Sequence, residues 1–346
     1  MNLIQKTHYE AVLNFLKNYP NMLFDKFFNE YDSLTFANFS DFFYKHARFN
    51  NVSIQRDDPQ IIYQSNVIYH LVAMKKYHEK IFYITPKLAI DLANTNLTID
   101  SRFLIAPFEQ IYLKLDTKLF MIIDIANNKP VFIDGIYVNF KQYHTGKKEI
   151  RIMAVSLLKP TNQFPFNDSV FYFKIELNEN GNLEQQIDSY IKKIMFKENE
   201  LEKYRGAINV KYIYEISKFV FNSLLYITSK NANLTTIDNP LAELELQQQL
   251  KKNKKQKKIQ RKINSKASLP YIIVGQNLIH SMDKQIRESK KGVFDYKLDH
   301  RIYVIGHWRL QWYGNNKNKY QKQIQIEPYY KGPEMADVIN KNYKVI

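Results

Sequence analysis

The sequence predicts an α+β fold: a helical N-terminal part, a central antiparallel sheet, further helices, a charged linker and a small C-terminal β-hairpin module. Three observations carry this expectation. Apolar residues make up 45% of the 346-residue chain, enough for a sizeable core. Their spacing changes from helical to alternating near Ser101 and back to helical near Leu183. Residues 239–266 then break the composition with a lysine-rich run. The expected organisation is an α+β body over 1–238, a charged linker or helix over 239–266, and a C-terminal module over 267–346.

The first fifty residues read as helices over Thr7–Asn18, Asn21–Tyr31 and Phe36–His46, with Leu13, Phe15, Leu16, Phe24, Phe27 and Phe28 as apolar faces. Gln60–Glu79 is a further helix, on whose surface His70 and His78 stand about two turns apart. Lys80–Thr85 is a short strand, and Pro86 opens a helix over Lys87–Ala93 from its favoured first-turn position. Period-two strands follow at Phe103–Ala106, Gln110–Leu115, Leu119–Ile125, Val131–Val138, Glu149–Leu158 and Val170–Glu176. Breakers such as Asn127–Pro130, Asp134-Gly135, Thr145-Gly146 and Lys159-Pro160 separate them. Leu183–Glu198 and Ile208–Ile227 return to helix. In the tail, Pro270–Gly275 reads as a strand and Asn277–Ser289 as a helix.

The net charge is +16, with a pI near 9.5, which favours polyanionic partners. Eight of those charges fall within Lys251–Lys262: Lys251, Lys252, Lys254, Lys255, Lys257, Lys258, Arg261 and Lys262. The run is either a solvated linker or an electrostatic tether to RNA, DNA or a ribosome. It contains no aromatic residue, so it suits phosphates rather than stacked bases. The chain has no cysteine, which excludes disulfides, thiolate nucleophiles and cysteine-ligated metal sites and fits a reducing cytoplasm. No apolar run is long enough to span a bilayer. The eight histidines show no tight metal-ligand spacing, and no P-loop, dinucleotide fingerprint or kinase set is present. No metal, cofactor or membrane partner is expected.

Arg301–Tyr313 is the most informative stretch. Read at period two, Ile302, Val304, Trp308, Leu310 and Trp312 share one face, with both tryptophans as expected core anchors. Arg301, Tyr303, His307, Arg309, Gln311 and Tyr313 share the other, a surface suited to phosphate or nucleic acid. Gln323–Pro328 is the return strand of a hairpin, with Ile324 and Ile326 on one face and Gln323, Gln325, Glu327 and Tyr329 on the other. Lys322 adds a further cation. If the face cleaves RNA without metal, His307 with Glu327 or Tyr313 supplies the proton transfers and Arg309 or Arg301 the charge on the phosphorane. The same residues also suit binding without chemistry, or ion pairing within the fold.

The tail resembles a known signature. Gly306-His307-Trp308-Arg309, Gln311, Tyr313-Gly314, then Ile326-Glu327-Pro328-Tyr329 and Lys331-Gly332 are similar to the C-terminal pattern of a group of phage, plasmid and bacterial proteins. That group includes the type V-A anti-CRISPR protein of the second family. Body stretches resemble it too: Ile84–Ala89 before Leu92 and Thr95, Ala106-Pro107-Phe108 with Tyr112, and Phe221–Ile227 followed by Asn231-Ala232-Asn233. The resemblance implies a mobile-element protein that recognises a nascent peptide or the ribosome and lowers a particular messenger RNA. The strong basic character and the Lys251–Lys262 run depart from that pattern. The expectation is therefore a regulatory binding protein acting on translation or mRNA. A toxin-like ribonuclease and a structural or DNA-binding phage protein are the alternatives.

Overall fold

The computed structural model describes residues 7–10, 12, 28, 59–115, 118–124, 129–156, 170–195, 210–230, 232–237, 270–275, 301–304, 306–314, 319–327, 329–331 and 338–339. Most of the three N-terminal helices, the helix expected over Asn277–Ser289 and the Lys251–Lys262 run lie outside the described residues.

The fold is α+β around a seven-stranded sheet. Helix α1 (Pro59–Lys76) leads into strand β1 (Ile81–Ile84) and helix α2 (Pro86–Asn94), which starts on Pro86 as the sequence predicts. Strand β2 (Gln110–Leu115) follows. Then come β3 (Met121–Asp124) and β4 (Lys129–Phe132), a separate antiparallel ribbon. Strands β5 (Gly135–Gln142), β6 (Lys148–Val155) and β7 (Val170–Leu177) form an antiparallel meander. Helices α3 (Leu183–Met195) and α4 (Val210–Ile227) precede β8 (Leu234–Ile237) and β9 (Tyr271–Val274). The sheet order is β7-β6-β5-β2-β1-β9-β8.

Four expectations change. The sheet is mixed rather than antiparallel, because β1 pairs in parallel with both β2 and β9. Its sequence, IFYI, is apolar throughout, as befits a central strand covered on both faces. Strand β9, placed by the sequence in the C-terminal module, sits inside the main sheet between β1 and β8. The strand expected over Phe103–Ala106 is instead a 3-10 turn at Ser101–Phe103, because the Asp100 side chain accepts the Arg102 N–H at 2.9 Å and caps it. Val131–Val138 is broken at Asp134 into β4 and β5. There Gly135 is required: a Cβ would lie 1.9 Å from the Tyr112 hydroxyl.

Both faces of the sheet are buried, with opposite chemistry. One face sends Ile111, Leu113, Ile136, Val138, Ile150, Ile152 and Ile175 into an aliphatic core with α2, α3 and α4. The alternate residues Gln110, Tyr112, Lys114, Tyr137 and Arg151 would read as a solvated face, yet all are buried. Each of them has a polar partner inside the fold. Lys114 forms an ion pair with Asp134, and Arg151 one with Glu149; Arg151 also donates to the Tyr69 hydroxyl at 3.0 Å. Helix α1 packs over this face against β2 and β5, so Ser65–Met74 are all buried. His70 is therefore a core residue and not a surface one: its Nδ1 is 3.2 Å from Gln110 Oε1, while Nε2 is buried without a hydrogen-bond partner. His8 is equally buried, with Nδ1 3.0 Å from the Tyr137 hydroxyl.

The hairpin of the tail docks on the aliphatic side. Strands β10 (Arg301–Val304), β11 (His307–Tyr313), β12 (Tyr320–Ile326), β13 (Tyr329–Lys331) and β14 (Val338–Ile339) close the fold. What seats β11 is a buried side-chain amide. Asn222 of α4 donates to Leu92 O at 2.9 Å and to Thr95 O at 2.8 Å, and its Oδ1 accepts the Trp308 indole N–H at 2.7 Å. Asn222 is 0% exposed and Trp308 6%. At the end of α2, Leu92 O also accepts the Thr95 N–H at 3.3 Å, so the amide adds a second donor to the helix terminus while holding the hairpin.

Two expectations follow for stability. Burial holds the imidazoles of His8 and His70 down to about 3 from an ordinary value of 6.5. Between those values the unfolded chain binds more protons than the folded one. Stability is therefore complete above pH 6.5 and is lost as pH falls, by about 1.4 kcal/mol per pH unit for each histidine. Thermal melts from pH 8 to pH 5 should show this fall, with a shallower slope in His70→Gln. Separately, Trp308→Phe leaves Asn222 Oδ1 unpaired and should cost about 1–3 kcal/mol in denaturant titrations. Asn222→Leu should cost more, and the double variant less than the sum of the two.

Candidate anion-binding face of the C-terminal hairpin

The stretch that reads as one continuous strand is two. β10 ends at Val304 and β11 begins at His307. Across from the break, β12 ends at Ile326 and β13 begins at Tyr329. Pairing is kept on either side of the break, since β10 pairs with β13 and β11 with β12. Just before β11, Gly306 O accepts the Asn96 N–H at 2.9 Å, and Asn96 bridges in parallel to His307.

Register then decides which side chains meet. His307, Arg309, Gln311 and Tyr313 stand opposite Ile326, Ile324, Lys322 and Tyr320. These eight form the outer face. The inner face is Trp308 and Leu310 with Gln325 and Gln323. The glutamines, not the isoleucines, face inward on β12. Gln325 Nε2 donates to Thr95 Oγ1 at 3.3 Å and Gln323 Nε2 to Leu225 O at 3.2 Å, which makes their burial tolerable. Trp308 is the core anchor that the sequence suggests, whereas Trp312 is 61% exposed because it lies beyond the edge of the core.

The predicted site residues divide accordingly. His307, Arg309, Gln311, Tyr313 and Lys322 share the outer face. Glu327 does not join them: Ile326 stands across from His307, and Glu327 falls on the inward parity, where its charge acts on the Tyr226 hydroxyl. Arg301 belongs to β10 in the separate three-stranded sheet. Arg309 donates to Gln311 Oε1 at 2.8 Å, which fixes the guanidinium along the strand.

Two further participants come from the tertiary structure. The rings of Tyr313 and Tyr320 stack with centroids 6.2 Å apart, a pairing that follows from the register. Lys230, just past the end of α4, places Nζ 4.2 Å from the Tyr313 ring centroid, and Lys322 sits 5.1 Å from that of Tyr320. Nothing in the local sequence around Lys230 signals that contact, which spans more than eighty residues. Among the described residues neither ammonium has a carboxylate partner. Arg102, by contrast, is tied to Asp100 at 3.0 Å and draws that carboxyl down to about 2. The exposed Tyr320 ring and the half-buried Tyr313 ring beside two lysine ammoniums suit a single-stranded nucleic acid, whose bases and phosphates they address separately.

Among the described residues no cluster of three or more His, Asp or Glu side chains is arranged to hold a metal. No described helix is long and apolar enough to cross a membrane.

The stretches that carry the family resemblance converge on the buried amide: Leu92 and Thr95, Asn222, and Trp308 are mutual partners. Comparison with known proteins agrees with that pattern. A family model for the AcrVA2-like, anti-CRISPR type V subtype A2 family matches residues 82–329. No curated protein matches. Among solved structures, the crystal structure of AcrVA2 is similar with a TM-score of 0.53 at 12% identity, over 95% of this chain and 100% of that one. At that identity the likeness concerns the fold. The family match extends from β1 to the first residue of β13 and so includes both the sheet and the hairpin. The chain belongs to the anti-CRISPR type V subtype A2 family.

Proposed function

We propose that the protein is an anti-CRISPR regulator of a phage or mobile element that acts on translation or messenger RNA, gripping RNA through the outer face of its C-terminal hairpin. The observation that carries this reading is the placement of Lys230 and Lys322 against Tyr313 and Tyr320, in line with Arg309. The cations supply a sequence-independent hold on phosphates, and the rings supply surfaces for unpaired bases. A net charge of +16 supports encounter with a polyanion. The Lys251–Lys262 run adds a further electrostatic hold on RNA or a ribosome. Recognition of a nascent peptide, which the family resemblance implies, is compatible with this: a regulator held near message meets the chain emerging from it.

Binding without cleavage is the reading that the register favours, since Ile326 rather than a carboxylate stands opposite His307. The test is fluorescence anisotropy with single-stranded RNA, alongside gel analysis of the same RNA in EDTA. Tyr320→Ala should weaken binding by the loss of one stacked base, about 1–3 kcal/mol, or roughly fivefold to a hundredfold. Lys322→Ala should flatten the salt dependence by about one phosphate contact. The RNA should be recovered intact. Cleavage in EDTA that disappears in both His307→Ala and Arg309→Ala would replace the binding reading with a nuclease.

A further inference from the structure

A cleft of about 340 Å³ lies beside the hairpin, between β12, the end of α4 and the 3-10 turn at Ser101–Phe103. Its size falls within the range of small-molecule sites, roughly 300–1,000 Å³. Two kinds of chemistry meet in it. Lys230 and Lys322 line one part, and both ammoniums are without a carboxylate partner among the described residues. Phe103 and Ile105 line another; Ile105 is 48% exposed, an apolar surface open to a ligand. Gln323 completes the lining. It is 9% exposed, its Nε2 is committed to Leu225 O, and its Oε1 is buried without a hydrogen-bond partner. That oxygen lies beneath the cleft surface, so Gln323 forms part of the floor.

The cations and the apolar wall describe one ligand chemistry. Two lysine ammoniums match a phosphate monoester, which carries about two negative charges at neutral pH. The apolar wall matches a planar base or the face of a sugar. The Arg102–Asp100 pair adds a polar rim of little net charge.

We propose that this cleft binds a nucleoside monophosphate, either free or as the phosphorylated end of an RNA strand. The second source rests on the RNA-binding reading above; the first does not.

Calorimetric titration of the full chain with AMP, GMP, ribose 5-phosphate and inorganic phosphate tests the cleft. The nucleotides should bind saturably, and inorganic phosphate more weakly by about tenfold or more, since it lacks the ring that meets the apolar wall. Ile105→Glu sets a carboxylate at an exposed position of the wall, where folding is not at risk, and should weaken nucleotide binding by about tenfold or more. Lys230→Gln should do the same. Absence of saturable nucleotide binding up to about 10 mM, or binding that survives Ile105→Glu, would overturn the proposal. A second arm compares one RNA as a 5′-phosphorylated strand, a 5′-hydroxyl strand and a closed circle. Preference for the phosphorylated strand, lost in Ile105→Glu while binding to the circle is unchanged, supports the strand end as ligand. Equal affinity for all three, with nucleotides still bound, supports the free nucleotide. Binding of nucleotides with no binding of any RNA would refute the RNA reading and leave the cleft standing.

Discussion

The amide of Asn222 is the contact on which the arrangement of this molecule depends. It is fully buried in α4, and its two donors and its acceptor are used on three other places in the chain: the end of α2, the turn at Thr95, and Trp308 of the hairpin. A buried amide with a free hydrogen-bonding position is costly, so the geometry that satisfies all three is strongly preferred over any slipped alternative. Gln323 and Gln325 add directional contacts along β12, their Nε2 groups reaching Leu225 O and Thr95 Oγ1. Apolar packing alone would tolerate sliding of the hairpin over α4; directional polar contacts do not.

The sheet applies a related solution on its other face. Strand β2, QIYLKL, alternates as a one-sided strand does, yet all six residues are buried. Its aliphatic members enter the main core, and its polar members meet α1 and residues near the N-terminus. Burial of Tyr112, Lys114 and Gln110 is possible because each polar atom finds an internal partner: Asp134 for Tyr112 and Lys114, and His70 for Gln110. The consequence is two neutral imidazoles inside the protein and a dependence of the fold on pH.

These constraints separate the residues that hold the hairpin from those it displays. Trp308 and Gln325 belong to the first group; Arg309, Tyr313, Tyr320 and Lys322 belong to the second. The residues resembling the anti-CRISPR pattern in β1–α2, α4 and the hairpin include the buried contact set, which accounts physically for their types and order.

Much of the fold was legible from spacing. The limits of β2, the Pro86 start of α2, the two helices after the sheet and the hairpin itself all follow from local periodicity and from residues with fixed backbone preferences. The outer face of β11 was legible for the same reason, since alternation assigns His307, Arg309, Gln311 and Tyr313 to one side. Tertiary structure decided what alternation cannot. A polar face reads as solvated whether water or a helix covers it, so the burial of His70 and Lys114 was not visible. Side-chain parity does not say which parity points inward on β12, because glutamine burial depends on acceptors supplied by α4 and Thr95. Nor does it register a cation such as Lys230, brought to Tyr313 by the end of a distant helix. The sequence by itself determined the elements and their two-sidedness, which are properties of neighbours along the chain. Only the tertiary structure decided which side meets protein and which cations stay unpaired, because those are set by partners far away in sequence.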